Sequence, residues 1–372
     1  MNGAFAVEQE DGSARTGTLT LAHGEVRTPT FMPVGTRATV RSLDSADLEA
    51  VGAQMVLANT YHLMLRPGAE RIDALGGLHG FMGWDGPILT DSGGYQVFSL
   101  EAKVTEEGVA FKSTYDGTPV LLTPEEATRV QELLGPDVAM VLDELIGLPA
   151  PRERAREAMH RTLRWAERAI ASHTREDQVQ FGIVQGGVDV DLRAESARAT
   201  AALGFRGIAL GGLSVGESLP ERNAAIEAAV GELPDDRVRY VMGLGDAEGV
   251  LDAVARGCDL FDCVWPTRLA RHGKAITSGG DFNIRQAAFM DDAAPLDDAC
   301  ACTTCARYSR AYLNHLVRAK ELSAHRLLSI HNLTYTLSLL EDAREAIAAG
   351  RFAGFRADVA LRRAEGVSMA SP

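Results

Sequence analysis

No apolar run in this 372-residue chain reaches the roughly 18 residues needed to cross a bilayer. The opening MNGAFAVEQEDGSARTG lacks the basic and apolar regions of a signal peptide. Both absences lead to the expectation of a cytoplasmic protein without a membrane partner. There is no basic excess either: 37 Lys and Arg face 51 Asp and Glu, a formal net charge of -14. That balance argues against indiscriminate nucleic-acid binding, although a local basic face stays open because steering depends on where charges lie. A Gly-rich dinucleotide fingerprint is missing, which weighs against an open doubly wound sheet. Short-period repeats and low-complexity segments are missing as well. The five cysteines do not look like a disulfide framework: Cys300, Cys302 and Cys305 lie within six residues, and Cys258 and Cys263 stand apart. In a reducing cytosol such a cluster reads as a metal site.

What the chain does have is a recurrent form, a short apolar run that stops abruptly at polar or glycine residues. MVLANTYHL, PILTDSGGYQ, VAMVLDE, FGIVQGG, GIALGGLSVGE, RYVMGLG and LFDCVWPTR all share it. Unbroken apolar runs of this length fit parallel strands buried on both faces. Between them, 124–134, 152–172, 191–203, 220–231 and 246–257 carry helical spacing and helix start or stop signals. Strand and helix in alternation predict βαβ units and favour an irregular (β/α)8 barrel. The N-terminal forty residues alternate like an antiparallel hairpin and could cap the barrel's bottom. Residues 280–331 break the βα rhythm. The expected organisation is an N-terminal β cap at 1–40, a barrel at 41–279, a metal-binding subdomain at 280–331 and a helical region at 332–372.

A barrel gathers the C-terminal ends of its strands on one face, where reactive groups sit. Asp91, Ser92, Asp143, Gln185, Gly211, Gly212 and Asp262 end these strands and would therefore surround one pocket. Each has a plainer reading. Asp91 could serve a turn or a helix cap; Asp262 could cap the next segment or pair with Arg268. Asp143 and Gln185 could serve backbone hydrogen bonds, and Tyr95 and Met242 could be ordinary packing. Together, two acids at one mouth suit displacement at an anomeric carbon, one acting as nucleophile and the other moving protons. Asp, Gln and glycine amides can read the edge of a flat heterocycle, with an aromatic ring and a thioether on its two sides.

Cys300, Cys302, Cys305 and His331 make a Cys3His set suited to a closed, structural Zn2+ site. From 263 to 330 there are nine Lys or Arg against six Asp or Glu. That local excess is either a solvated mixed-charge face or a phosphate-contacting strip that includes Arg268, Arg271, His272, Lys274, Arg285, Arg310 and Arg326.

The stretches PTFMPVGT, NTYHLMLRPG, GGLHGFMGWDGPILTDSGGYQVFSL, GIVQGG, GGLSVGE, VMGLG, FDCVWPTR and NIR, followed by the Cys3His cluster, resemble the bacterial tRNA-guanine transglycosylase (queuine tRNA-ribosyltransferase) family along nearly the whole chain. The resemblance implies a barrel with a zinc subdomain and a homodimer. It also implies exchange of the wobble guanine in G-U-N anticodon tRNAs (Asp, Asn, His, Tyr) for a 7-deazaguanine base such as preQ1, in queuosine biosynthesis. By motif, Asp262 would be the nucleophile and Asp91 the general acid/base. Ser92, Asp143, Gln185, Gly212 and Leu213 would bind the base, which would stack between Tyr95 and Met242. Gly243, Asp262, Thr267, Arg268 and Arg271 would contact the RNA. Leu145 and Asp246 depart from the family, which often has Cys and Lys at those places. A residue smaller than Val215 accompanies use of the bulky base queuine. A barrel N-glycosidase using the same acids and a non-catalytic tRNA-binding subunit are the competing readings.

Overall fold

The computed structural model describes residues 2–98, 100 and 102–369. Residues 1 and 370–372, at the ends of the expected first and last segments, lie outside these. The chain opens as an antiparallel sheet of β1 (Ala4–Asp11), β2 (Ala14–Leu21) and β3 (Gly24–Thr28). Asp11 pairs with Ala14, so the first turn has two central residues, and Gly12 supplies the positive φ of 65° that it needs.

Eight parallel strands then close on themselves. In chain order they begin with β4 (Thr30–Gly35), β5 (Val56–Ala58) and β6 (Ile88–Thr90). A small antiparallel sheet intervenes, formed by β7 (Lys103–Val104), β8 (Val109–Lys112) and β9 (Pro119–Leu122). The barrel resumes with β10 (Val138–Met140), β11 (Val179–Val184), β12 (Gly207–Leu210), β13 (Val238–Val241) and β14 (Leu260–Cys263). Pairing of β14 with β4 and of β10 with β6 completes the ring. The strands are short because each needs only to cross the barrel wall, and β5, β6 and β10 are buried at every position.

The crossover helices fall close to where helical spacing places them. Pro124–Leu134 starts after Thr123, whose side chain accepts from Glu126 N, and stops at Gly135 in the left-handed region. Arg152–Ser172 follows Pro151 without a side-chain cap, Val190–Ala202 is capped by Asp189, and Leu219–Val230 opens on a Ser218/Glu221 capping box. Two elements cross the expected segment limits. Strand β4 lies within the N-terminal forty residues; buried at all six positions, it shows no alternation that would separate it from the hairpin before it. A single helix, Leu322–Ala348, runs through position 331. A smaller core of Ala270, Ile284, Leu296, Leu313 and Leu328 gathers around the C-terminal subdomain. Among the described residues no helix is long and apolar enough to cross a membrane.

The N-terminal sheet seals the barrel below. Arg15, from β2, forks onto both oxygens of Asp259, which precedes β14, at 3.0 and 2.6 Å, and also donates to the carbonyls of Asp235 and Arg237 ahead of β13. Both partners of this ion pair are fully buried, so removing one would leave an unpaired charge at a cost of about 3–5 kcal/mol. Asp137, just before β10, makes a second clamp: it accepts from His23 N and Ile88 N, and the rings of His23 and His79 meet its two oxygens at 2.9 and 3.2 Å. These three side chains are close enough for metal ligation. The two imidazoles, however, stack 3.6 Å apart and only 16° from parallel. A ligating lone pair lies in its ring plane, and planes so stacked cannot both contain an ion about 2 Å from each nitrogen. The trio is a hydrogen-bonded clamp.

Candidate active site and metal centre

At the opposite end, the strand termini surround a cavity of about 380 Å3 lined by Asn59, Asp91, Ser92, Asp143, Gly212, Leu213, Met242, Gly243 and Asp262, among others. Seven of the eight strands contribute residues at or just past their C-terminal ends, and the eighth, β11, is followed by Gln185 behind the wall. The alternation of apolar run and polar terminus in the sequence is therefore the plan of this mouth.

Asp262 sits within β14 and does not pair with Arg268 among the described residues, nor does it cap the next helix, whose N-cap is Val264. Its Oδ1 accepts from the Tyr240 hydroxyl at 2.5 Å and from Gly243 N at 2.8 Å. Burial raises the Asp262 pKa, and these two donors pull it back down. Burial, reinforced by the facing carboxylate, holds the Tyr240 phenol well above its ordinary value, so it stays a donor. Tyr240 was not singled out from the sequence, because inside RYVMGLG it looks like one more core residue.

Asp91 follows β6 and is enclosed by donors. Asn59 and Gln96 donate to Oδ2, the latter at 3.0 Å, and the backbone N–H groups of Thr60 and Gly93 donate to Oδ1 at 2.9 and 3.2 Å. Burial nonetheless dominates and lifts the carboxyl to about 6. An acid that changes state near neutrality beside a fixed second carboxylate is a pairing suited to general acid/base work and nucleophilic attack. Asn59 was also missed, although it ends an apolar run as the other polar residues do.

Asp143 forms another wall. Ser92 Oγ donates to its Oδ1 at 3.3 Å and Gln185 Nε2 to its Oδ2 at 2.6 Å, while burial raises it to about 6. Gln185 lies behind Asp143, 1 % exposed, and its Oε1 has no hydrogen-bond partner. Gly212 has a φ of +66°, which strains any other residue there, and a Cβ would stand 2.5 Å from that oxygen and displace the Gln185 side chain. Leu213, Leu145 and Val215 add apolar lining. Tyr95 and Met242 both line the cavity; Tyr95 is 63 % exposed and Met242 packs against the main core. Asp246 caps the helix Ala247–Val254 by accepting from Gly249 N at 2.6 Å, a local reason for an acid there.

The basic residues downstream of Asp262 divide into two sets. Lys274, Arg310 and Arg326 are taken up by Asp281, Asp292 and Asp47, as a mixed-charge face would have them. Arg268 is exposed on the helix Trp265–Arg271 that follows β14, and Arg271 stands near it and near Arg41, close enough that burial and both neighbours disfavour its charge. Arg41 comes from the loop after β4 and was not anticipated. Thr267 is buried, its hydroxyl donating to Val264 O and its carbonyl accepting from Arg271 at 2.9 Å, so it fixes that arginine.

Cys300, Cys302, Cys305 and His331 bring four ligand atoms within 4.8 Å of one another and could hold a metal ion. His331 Nδ1 lies 3.7 Å from Cys302 Sγ and 3.3 Å from Cys305 Sγ. Its Nε2 meets the Ile276 carbonyl at 3.0 Å, which fixes the proton there and leaves Nδ1 free to ligate. Tetrahedral ligation by thiolates and one imidazole puts ligand atoms about 3.5 Å apart, so the set fits. The helix Leu322–Ala348 supplies the histidine and thereby ties the cysteine loop to the barrel.

A family model described as queuine tRNA-ribosyltransferase matches residues 10–365. A queuine tRNA-ribosyltransferase of Solidesulfovibrio magneticus is 51% identical over 368 residues, covering 98% of this chain and 99% of the relative. One from Desulfosudis oleivorans is 53% identical over 352 residues, 93% and 92% of the two chains. One from Thermus thermophilus is 50% identical over 361 residues, 96% and 94%.

Proposed function

The chain belongs to the queuine tRNA-ribosyltransferase family, and from that premise we propose that it exchanges the wobble guanine of G-U-N anticodon tRNAs for preQ1 through a covalent ribosyl intermediate. The observation that carries this reading is the pair formed by Asp262, held through one oxygen by Tyr240 and Gly243, and Asp91, poised near neutrality, on one cavity. Asp262 attacks C1′ of the ribose as the bond to guanine breaks, and Asp91 protonates the departing base. The incoming base then loses its proton to Asp91 and displaces Asp262, so two inversions give net retention. No energy source is consumed, because one glycosidic bond replaces another.

The target base leaves its stack to enter the cavity, and contacts inside offset that cost. Asp143, backed by Gln185, accepts from N–H groups on the base edge, Gly212 and Leu213 contribute backbone groups, and Tyr95 and Met242 cover the two faces. Arg268 and Arg271 hold the anticodon loop. A zinc ion at Cys300, Cys302, Cys305 and His331 supplies structural cohesion only, since the closed donor set leaves no position for substrate. The enzyme works in the cytoplasm as a homodimer.

Incorporation of labelled guanine into a G-U-N tRNA tests the reading directly. Base exchange with no loss of RNA integrity is expected. Abasic RNA without incorporated label would instead reveal a hydrolase, and RNA binding without either reaction a non-catalytic subunit.

A further inference from the structure

Outside the pocket itself, three segments converge beside its rim. Arg37 follows the cavity-lining Thr36, Arg66 closes the helix Thr60–Leu65, and Tyr115 sits in the loop between β8 and β9. The Arg66 and Arg37 guanidinium carbons lie 4.7 and 5.6 Å from the centroid of the Tyr115 ring. The ring is held in place: its hydroxyl meets His62 Nδ1 at 3.3 Å, and Tyr115 N donates to Ser113 Oγ at 3.2 Å. His62 itself lines the cavity, so this cluster continues the active-site wall outward. Both arginines are exposed, and among the described residues neither is in an ion pair; Asp116 is the nearby acid that Arg66 attracts. Two cations sharing one aromatic ring repel each other, and an anion between them would remove that repulsion.

We propose that Arg37, Tyr115 and Arg66 form a docking surface for single-stranded RNA, in which the guanidiniums grip phosphates of the nucleotides flanking the extruded base. The inference rests on the transglycosylase reading only in taking RNA as the substrate. The face of the Tyr115 ring seats the two guanidiniums by cation–π contact. Single strands are held this way where aromatic and arginine side chains combine with backbone contacts. Arg41, on the same loop as Arg37, stands near Arg271, so this surface adjoins the arginines that follow Asp262.

The test uses an anticodon stem-loop RNA, with binding measured by fluorescence anisotropy across a salt series and free guanine binding measured by calorimetry. Replacing Arg37→Gln and Arg66→Gln should each reduce the salt slope by about 0.7, the value for one phosphate contact on a single strand. Tyr115→Ala should weaken RNA binding by roughly tenfold, within the range for loss of an aromatic platform, while Tyr115→Phe retains it and guanine affinity is unchanged in all four. An unchanged slope and affinity in all four variants would overturn the proposal, as would a matching loss of guanine binding, which would mean that the cluster only shapes the pocket. A wild-type protein that exchanges guanine while the variants bind RNA normally sinks this inference alone; one that binds no RNA sinks the transglycosylase reading with it.

Discussion

Tyr240 and Asp262 meet through one oxygen only: the phenol and Gly243 N both donate to Oδ1, and no donor among the described residues reaches Oδ2. The carboxylate is thus anchored on one side and presented on the other, as a nucleophile needs. Asp262→Ala should abolish guanine exchange and the denaturation-resistant RNA adduct while tRNA binding stays near wild type, because the nucleophile makes few ground-state contacts. Tyr240→Phe should lower the exchange rate on the order of tenfold, from loss of a charge-assisted hydrogen bond. It should also move the acid limb of the pH–rate profile upward, since that hydrogen bond lowers the Asp262 pKa. An adduct formed by the alanine variant would identify a different nucleophile.

Asp91 and Asp143 both titrate at about 6, raised from 3.8 by burial. A carboxyl raised in the folded state contributes stability that is present below its unfolded value and is lost as pH rises through its folded value. Each such group therefore costs on the order of 3 kcal/mol above pH 6. Asp143→Asn should raise the melting temperature relative to wild type, and the difference should grow between pH 4 and pH 8. A pH-independent difference in thermal scans would contradict this account.

Cys302→Ala should reduce zinc content and thermal stability together, because metal held by a closed site adds directly to folding free energy. Elemental analysis and melting curves of the same preparations check it. A metal-free variant that kept wild-type stability would show that the cysteine cluster does not depend on an ion.

Arg268→Ala should raise the tRNA KM and flatten its salt dependence, since this side chain is exposed and has no acidic partner among the described residues. Steady-state kinetics at several ionic strengths would separate this from a structural effect, which would lower kcat without changing the slope.

Val215 and Leu145 line the pocket together with Leu213, and in the proposed reaction an aminomethyl group would donate to the Leu213 carbonyl. PreQ1 should be the best of three bases, guanine weaker and queuine poor, with Val215→Gly improving queuine use. Competition among the three bases decides the matter; efficient queuine use by the unmodified protein would disprove the crowding argument.

The residues that sequence makes visible are those whose polarity interrupts an apolar run: Asp91, Asp143, Gln185 and Asp262 each stand near or just past the C-terminal end of a strand, and a barrel brings strand ends together. Residues that act from within a run were hidden. Tyr240 alternates into the strand like any core aromatic, and only the cross-strand register of β13 with β14 brings its hydroxyl to Asp262. Strand β4 is hidden for another reason: only Pro29 separates it from β3, so it reads as a continuation of the N-terminal hairpin. Arg41 and Tyr115 come from loops far from Asp262 in sequence, and spacing along a chain cannot predict such meetings. Asp246 looked like a lost RNA contact; its place as a helix N-cap gives it a local role.

The Arg15–Asp259 bridge ties the N-terminal sheet to the end of the barrel opposite the cavity. In the proposed exchange, the expelled guanine and the base that replaces it both pass the cavity's opening at the strand ends while the RNA straddles it. The two bases therefore queue for one passage, and on the proposed reaction course retained guanine would block its successor directly, making turnover self-limiting when product is slow to clear.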